Sequence, residues 1–256
     1  MNTREDYIGV FASGVGGISV LRQLVKSMPQ EKFLYIGDSQ HAPYGTKSRQ
    51  EVEALSFAVA RQLLERGLKA LVVACNTATS AAIASLRSAY PELIVVGIEP
   101  ALKLAADRFP GGNLGVMATP MTLAEEKFSA LMARFSDSCT IYKLPAPGLV
   151  ELIEAGQGNS PQAEALLRQL LGEVAGKLDA LVLGCTHYPF AKGAISRVVG
   201  SQCLLLDGGE GTARETRRRL EMADLLRSGP GQVILENTKD DPRLLALCRQ
   251  LLYEEG

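Results

Sequence analysis

The sequence predicts an α/β protein built from two pseudo-symmetric α/β domains with mainly parallel sheets and an active site in the cleft between them. Three observations carry that expectation. Short apolar, β-branched runs alternate with stretches of helical periodicity, the pattern of βαβ units and a parallel sheet. The segment "LKALVVACNTATS" (68–80) returns as "LDALVLGCTHYPF" (178–190), which sets Cys75 and Cys185 110 residues apart. The segment "IGVFAS" (8–13) returns as "LGVMAT" (114–119), 106 residues later. One echo alone is weak, because buried parallel strands all look alike. Two at nearly the same offset point to two related halves.

Along the chain, a first apolar run over 8–12 stops at a glycine-rich turn, and a helical pattern starts near Ile18. Further strands are expected at 33–37, 70–74, 94–98, 114–118, 140–144, 180–184 and 203–206. Helical stretches lie between them at 49–66, 79–89, 122–135 and 161–177. The first domain is expected to cover 1–98 and, by return of the chain, about 207–256; the second covers 99–206. In open α/β sheets, ligands bind at the carboxyl ends of the strands. The residues just past each repeated strand are therefore the candidates for chemistry.

Composition narrows the function. The chain has 256 residues, a formal net charge of −1 and 46% hydrophobic residues, enough for a substantial core and too little positive charge for a dedicated nucleic-acid surface. The basic run 214–219 is interrupted by Glu215 and reads as a solvated helix face. No window approaches the ~18 apolar residues of a membrane span, and the N-terminus has no signal-peptide core. Five widely spaced cysteines make no disulfide framework, so a cytoplasmic location with reduced thiols is expected.

Cys75-Asn76-Thr77 and Cys185-Thr186-His187 stand just past the repeated strands. A cysteine there, followed by a helix N-terminus, lies near a partial positive charge that favours thiolate. Cys139, Cys203 and Cys248 are read as ordinary buried cysteines. Two thiols facing one another across a cleft suit one reaction in particular. One removes a proton from a carbon acid while the other delivers a proton to the opposite face, which inverts the stereocentre. Ser13, Asn76, Thr77, Thr119 and Thr186 are candidates to hold a carboxylate and an ammonium, and His187 to assist the Cys185 thiol. Zinc is disfavoured, because Cys185, His187 and Cys75 lack the Cys-x2–4-Cys spacing of metal sites. A dinucleotide is disfavoured as well. "GVGGIS" (14–19) followed by Asp38 resembles that fingerprint, but Ser19 stands where its last glycine belongs and the paired cysteines stay unexplained.

The segments "GVFASGVGGISVL", "YIGDSQHAPYGTKS", "LVVACNTATS", "GIEPA", "LVELIEAG" and "LVLGCTHYP" recur in an order that closely resembles the glutamate racemases of the aspartate/glutamate racemase superfamily. The resemblance spans nearly the whole chain. It implies two α/β domains, cofactor-independent interconversion of L- and D-glutamate, and D-glutamate supply for peptidoglycan. Cys75 matches the family cysteine that takes the proton from the D-enantiomer, and Cys185 the one that serves the L-enantiomer. Substrate contacts carry over to position 12 and to Ser13, Tyr44, Gly45, Asn76, Thr77, Thr186 and His187, and further to Thr119 and Glu154. Glutamate is thus the expected small-molecule partner. A homodimer is expected too, and the few residues before Ile8 disfavour the activator-linked N-terminal extension of some members.

One position departs from that pattern. The family reads Phe-Asp-Ser-Gly where this chain reads Phe11-Ala12-Ser13-Gly14. The missing aspartate is taken to assist the Cys75-type thiol and to help place the substrate ammonium, and an alanine can do neither. Two other readings stay open: a glutamate- or dicarboxylate-binding regulatory protein that does not turn over, and a racemase for another acidic amino acid.

Overall fold

The structure is a computed structural model that describes residues 3, 5–98 and 101–253, with Lys127 described by its backbone alone. Glu99 and Pro100 of the "GIEPA" segment, and Met1, Asn2 and Arg4 ahead of Ile8, lie outside the described residues. The chain divides into two compact units, Met1–Glu99 with Gly209–Gly256, and Pro100–Gly208.

Strands β1 (Tyr7–Ala12), β2 (Lys32–Gly37), β3 (Leu68–Val73) and β4 (Ile94–Gly97) belong to the first unit. Strands β5 (Asn113–Ala118), β6 (Thr140–Pro145), β7 (Ala180–Leu183) and β8 (Leu204–Asp207) belong to the second, and β9 (Gln232–Asn237) returns to the first. The sheet orders are β4-β3-β1-β2-β9 and β6-β5-β7-β8. Every strand pair is parallel.

Reading the second sheet from its other end gives β8-β7-β5-β6, which repeats β4-β3-β1-β2 strand for strand. The register repeats as well. Ile8 lies beside Ala70 and Phe11 beside Val73, as Leu114 lies beside Ala180 and Met117 beside Leu183. One residue past each strand the ladder continues: Ala74 N–H donates to the Phe11 carbonyl at 2.7 Å, and Gly184 N–H to the Met117 carbonyl at 2.7 Å. The internal echo in the sequence is therefore an echo of backbone geometry.

Parallel strands need crossovers that cover both faces, so their residues are apolar in both directions. All six residues of β3 are buried. In the second sheet, Leu114 and Val116 pack into one core with Val182, while Met117 packs into the other with Leu181 and Leu183. Consecutive residues thus feed opposite faces, the period of two that a strand imposes.

Side-chain caps set several of the helix starts. The helix Arg49–Leu64 opens on a capping box: Glu51 N–H donates to Ser48 Oγ at 3.3 Å, and Ser48 N–H donates back to the Glu51 carboxylate at 2.9 Å. The helix expected at 79–89 starts earlier, at Asn76, because the Cys75 side chain caps it. The helix expected at 122–135 is two helices, Pro120–Ala124 and Glu126–Ala133, joined at an extended Glu125 with ψ 132°. The helix expected at 161–177 stops at Leu171, and Gly176 beyond it has φ +73°. Strand β9 and the final helix Pro242–Tyr253 complete the first unit. No described helix is long and apolar enough to cross a membrane.

At the amino end of β3, opposite the end that carries Cys75, Lys69 is buried with no exposed surface. Its Nζ lies 2.6 Å from the Glu31 carboxylate and donates to the Leu225 carbonyl at 2.9 Å, while Arg227 N–H donates to the same carboxylate at 2.9 Å. The pair pins the C-terminal segment to the sheet. Removing one partner strands a buried charge, so Lys69→Met is expected to cost about 3–5 kcal/mol in equilibrium urea unfolding. The double variant Glu31→Leu/Lys69→Met should recover most of that loss. A single-variant cost below about 1 kcal/mol would show the pair to be dispensable.

Candidate active site

In the first unit, β1, β2 and β3 bring the candidate residues to one edge of the sheet. Cys75 sits two residues past β3 in extended backbone, φ −143° and ψ 123°, as the N-cap of Asn76–Ala89. Its sulfur accepts the Ala78 N–H at 3.4 Å, and the thiol donates to Ser13 Oγ at 3.7 Å. The thiol is therefore held at the positive end of a 14-residue helix dipole. Ser13 reaches it because Phe11 and Val73 are in register, so the residues two further along each chain stay neighbours. Thr77 is buried and Asn76 half-buried in the first turn of the same helix.

Tyr44 and Gly45 lie in a 3-10 turn, Tyr44–Thr46, between β2 and the capped helix. The Tyr44 side chain is buried and its hydroxyl donates to Asp38 Oδ2 at 2.6 Å. Burial above all, then the hydrogen bond to the Asp38 carboxylate, and finally the charge of Cys75 keep this phenol protonated far above its usual range.

Ala12 is fully buried at the end of β1. A Cβ on Gly17 would stand 2.5 Å from the Ala12 methyl and 2.9 Å from the Tyr35 hydroxyl, so glycine is what lets the turn lie against the strand end. That hydroxyl donates to the Gly14 carbonyl. In the second unit a different glycine lies against the equivalent alanine: a Cβ on Gly184, the counterpart of Ala74, would stand 2.9 Å from the Ala118 methyl.

In the second unit, Cys185 follows β7 and Gly184, but no α-helix begins beside it as it does beside Cys75. A short 3-10 turn, Tyr188–Ala191 with Pro189 in it, comes first, and the helix Lys192–Val199 starts only after that. The expectation of a helix N-terminus at this thiol is corrected accordingly. What stands there is a titratable chain. Cys185 Sγ lies 3.6 Å from His187 Nδ1, and His187 Nε2 lies 2.9 Å from Glu154 Oε1. Burial works against a charged His187, but the hydrogen bonds to Cys185 and then Glu154 outweigh it and raise the imidazole to about 10.

Thr186 is buried beside Cys185. Thr119, just past β5, caps the helix Pro120–Ala124 by accepting the Thr122 N–H at 3.3 Å. Cys185, Thr186, His187 and Glu154 are thus gathered in one unit, and Ser13, Tyr44, Gly45, Cys75, Asn76 and Thr77 in the other. The sequence reading weighed Asp38 only as a ribose-binding acid and missed it as the partner of Tyr44. Its position at the end of a parallel strand, six residues before that tyrosine, was the available signal. Among the described residues, no group of three or more His, Cys, Asp and Glu is placed to hold a metal ion.

The sequence profile of Asp/Glu/hydantoin racemases matches residues 8–216. The chain belongs to that family. It is 47% identical to the glutamate racemase of Clostridium kluyveri over 99% of its own length and 100% of that protein. Its structure resembles the Thermus thermophilus glutamate racemase solved in complex with β-chloro-D-alanine, with TM-score 0.84 and 38% identity, covering 99% of this chain and 95% of that one. It also resembles the Escherichia coli glutamate racemase solved with L-glutamate and the activator UDP-MurNAc-Ala, with TM-score 0.85 and 30% identity over 96% and 95% of the two chains. The chain is an amino-acid racemase, an isomerase.

The racemase holds two histidines, His41 and His187, and the Glu154→Gln variant identifies the His187 imidazole by NMR. An unfolded imidazole titrates near ~6.5. With the folded value raised to about 10, the charged His187 contributes fully to stability below the unfolded value, and that contribution is lost as pH rises toward the folded one. The His187 imidazole is expected to stay protonated through neutral pH, and Glu154→Gln to bring its titration down. If the His187 imidazole titrates near ~6.5 or below in the unchanged protein, the chain from Cys185 to Glu154 does not hold a proton.

Proposed function

We propose that this racemase interconverts L- and D-glutamate without a cofactor, with Cys75 and Cys185 as the two acid–base groups, and that its D-glutamate serves peptidoglycan synthesis. The observation that carries this reading is the pair of thiols at equivalent positions beyond β3 and β7, each with its own hydrogen-bonding partners. Full-length similarity to curated glutamate racemases supports the substrate.

Inverting a Cα centre takes a base on one face and an acid on the other. In the proposed cycle, the Cys75 thiolate takes the α-proton of D-glutamate, and the Cys185 thiol gives its proton to the opposite face. From L-glutamate the roles reverse. The electron pair left at Cα is delocalised into the substrate carboxylate, so hydrogen-bond donors around that carboxylate lower the barrier. Ser13, Asn76, Thr77 and Thr186, with the Tyr44–Gly45 turn and Thr119, are assigned to hold it and the ammonium. His187, with Glu154 behind it, is assigned to take up and return the proton of Cys185. At Cys75, the Ala78 N–H and the start of the helix Asn76–Ala89 favour thiolate, in a place where the family pattern also has an aspartate.

Cα–H exchange in D2O, started from each enantiomer, tests this reading. Replacing either cysteine by alanine should abolish racemisation. General acid–base assistance is worth ~10²–10⁴-fold, so Ala12→Asp should raise exchange from D-glutamate within that range and exchange from L-glutamate much less. Equal rates with alanine and aspartate would remove any role for position 12. No exchange in either protein would defeat the racemase reading of this site, and tight glutamate binding in the same sample would leave a binding protein in its place. The expected homodimer is checked by sedimentation, where a concentration-independent monomer would reject it.

A further inference from the structure

The Asp38 carboxylate, with 1% of its side chain exposed, gathers three side chains, two from the loop that follows it and one from the C-terminal part of the first unit. Its Oδ2 accepts the Tyr44 hydroxyl at 2.6 Å and its Oδ1 accepts the Thr238 hydroxyl at 2.7 Å. His41 Nδ1 lies 2.8 Å from Oδ1 and 3.1 Å from Oδ2, with its side chain half exposed. Thr238 comes directly after β9, 200 residues beyond Asp38. Its N–H extends the ladder by donating to the Gly37 carbonyl at 2.9 Å, and its hydroxyl oxygen accepts the Gln40 N–H at 3.2 Å. Beside it, Asn237 Nδ2 donates to Ser39 Oγ at 2.9 Å. The end of β9 thus stitches down the whole start of the loop that leads to Tyr44.

A buried carboxylate is held in place by the donors that satisfy it. Without the Thr238 hydroxyl, Oδ1 would depend on His41 alone, which water can reach. Asp38 could then turn, and the Tyr44 hydroxyl would turn with it. The turn that follows is fixed otherwise by short local bonds, Lys47 N–H to the Tyr44 carbonyl at 3.1 Å and Thr46 Oγ1 to the Pro43 carbonyl at 3.3 Å.

We propose that Thr238 is a positioning residue for substrate binding: by fixing Asp38 it locks the Tyr44 hydroxyl and sets the Tyr44–Gly45 turn where it meets the substrate. This rests on the racemase reading, in which that turn contacts glutamate. The C-terminal segment then takes part in substrate recognition without touching the substrate.

The test compares Thr238→Val, which keeps the shape and removes the hydroxyl, with Thr238→Ser, which restores it, in the full-length chain. A hydrogen bond to a buried charged group is worth enough that Thr238→Val should raise KM for glutamate about tenfold with little change in kcat, and Thr238→Ser should stay close to the parent. Lys47 amide exchange, read by NMR, should quicken by about tenfold in the valine variant and recover in the serine variant. On a Tyr44→Phe background, Thr238→Val should add nothing to KM, because its effect runs through that hydroxyl. Additive effects, or faster amide exchange with KM unchanged, would overturn the positioning role while leaving the racemase reading intact. Unchanged amide exchange in the valine variant would overturn the clamp itself. A parent chain with no Cα–H exchange from glutamate would defeat the racemase reading instead, and the Lys47 amide would still decide the clamp.

Discussion

Parallel pairing is the constraint on which everything else in this molecule rests. With all strands of a sheet running one way, every carboxyl end lies along one edge, and each strand must be followed by a crossover that starts there. That edge collects backbone turns, helix starts and the side chains that follow each apolar run. Ser13, Asp38 and Cys75 come from three separate strands, yet register alone makes them neighbours. The opposite edge carries a different load, the buried pair of Lys69 and Glu31, which fastens the returning chain. The candidate site and the anchorage thereby lie at opposite ends of the same strands.

The duplicated backbone supports two different chemical settings. Beyond β3, the thiol faces a hydroxyl and the start of a long helix. Beyond β7, it faces an imidazole backed by a carboxylate. Both follow strands whose last residues pair in the same way, so the difference comes from what each crossover places after the cysteine. Asn76 begins an α-helix at once, whereas Tyr188-Pro189 begins a 3-10 turn and leaves His187 free to turn back toward Glu154.

The α/β class and the eight strands of the repeated part were legible because buried parallel strands are continuous apolar runs, and the two echoes marked which strands correspond. Strand β9 was not legible in the same way. Its core is only Val233-Ile234-Leu235, every residue of it is half-buried or exposed, and it has no counterpart among the described strands of the second unit. The break at Glu125 was hidden too, because no glycine or proline marks it within 121–135. At the candidate site, the cysteines and their immediate neighbours could be picked out from their position after a strand. The partnership of Asp38 with Thr238 could not, because it depends on how a strand 200 residues away is placed. Short-range pattern reveals which residues end a strand, and long-range pairing decides which of them meet.

The return of residues 209–256 to the first sheet also bears on how the protein is made. A chain emerging from the ribosome displays β1 to β4 long before β9 exists, while the second unit is a single continuous stretch. The second unit can therefore complete its sheet while the first still has an open edge at β2. Until β9 emerges, that edge is a row of unpaired backbone groups ready to accept a strand from another nascent chain. Crowded polysomes, or a message cut short before Gln232, would expose this vulnerability first.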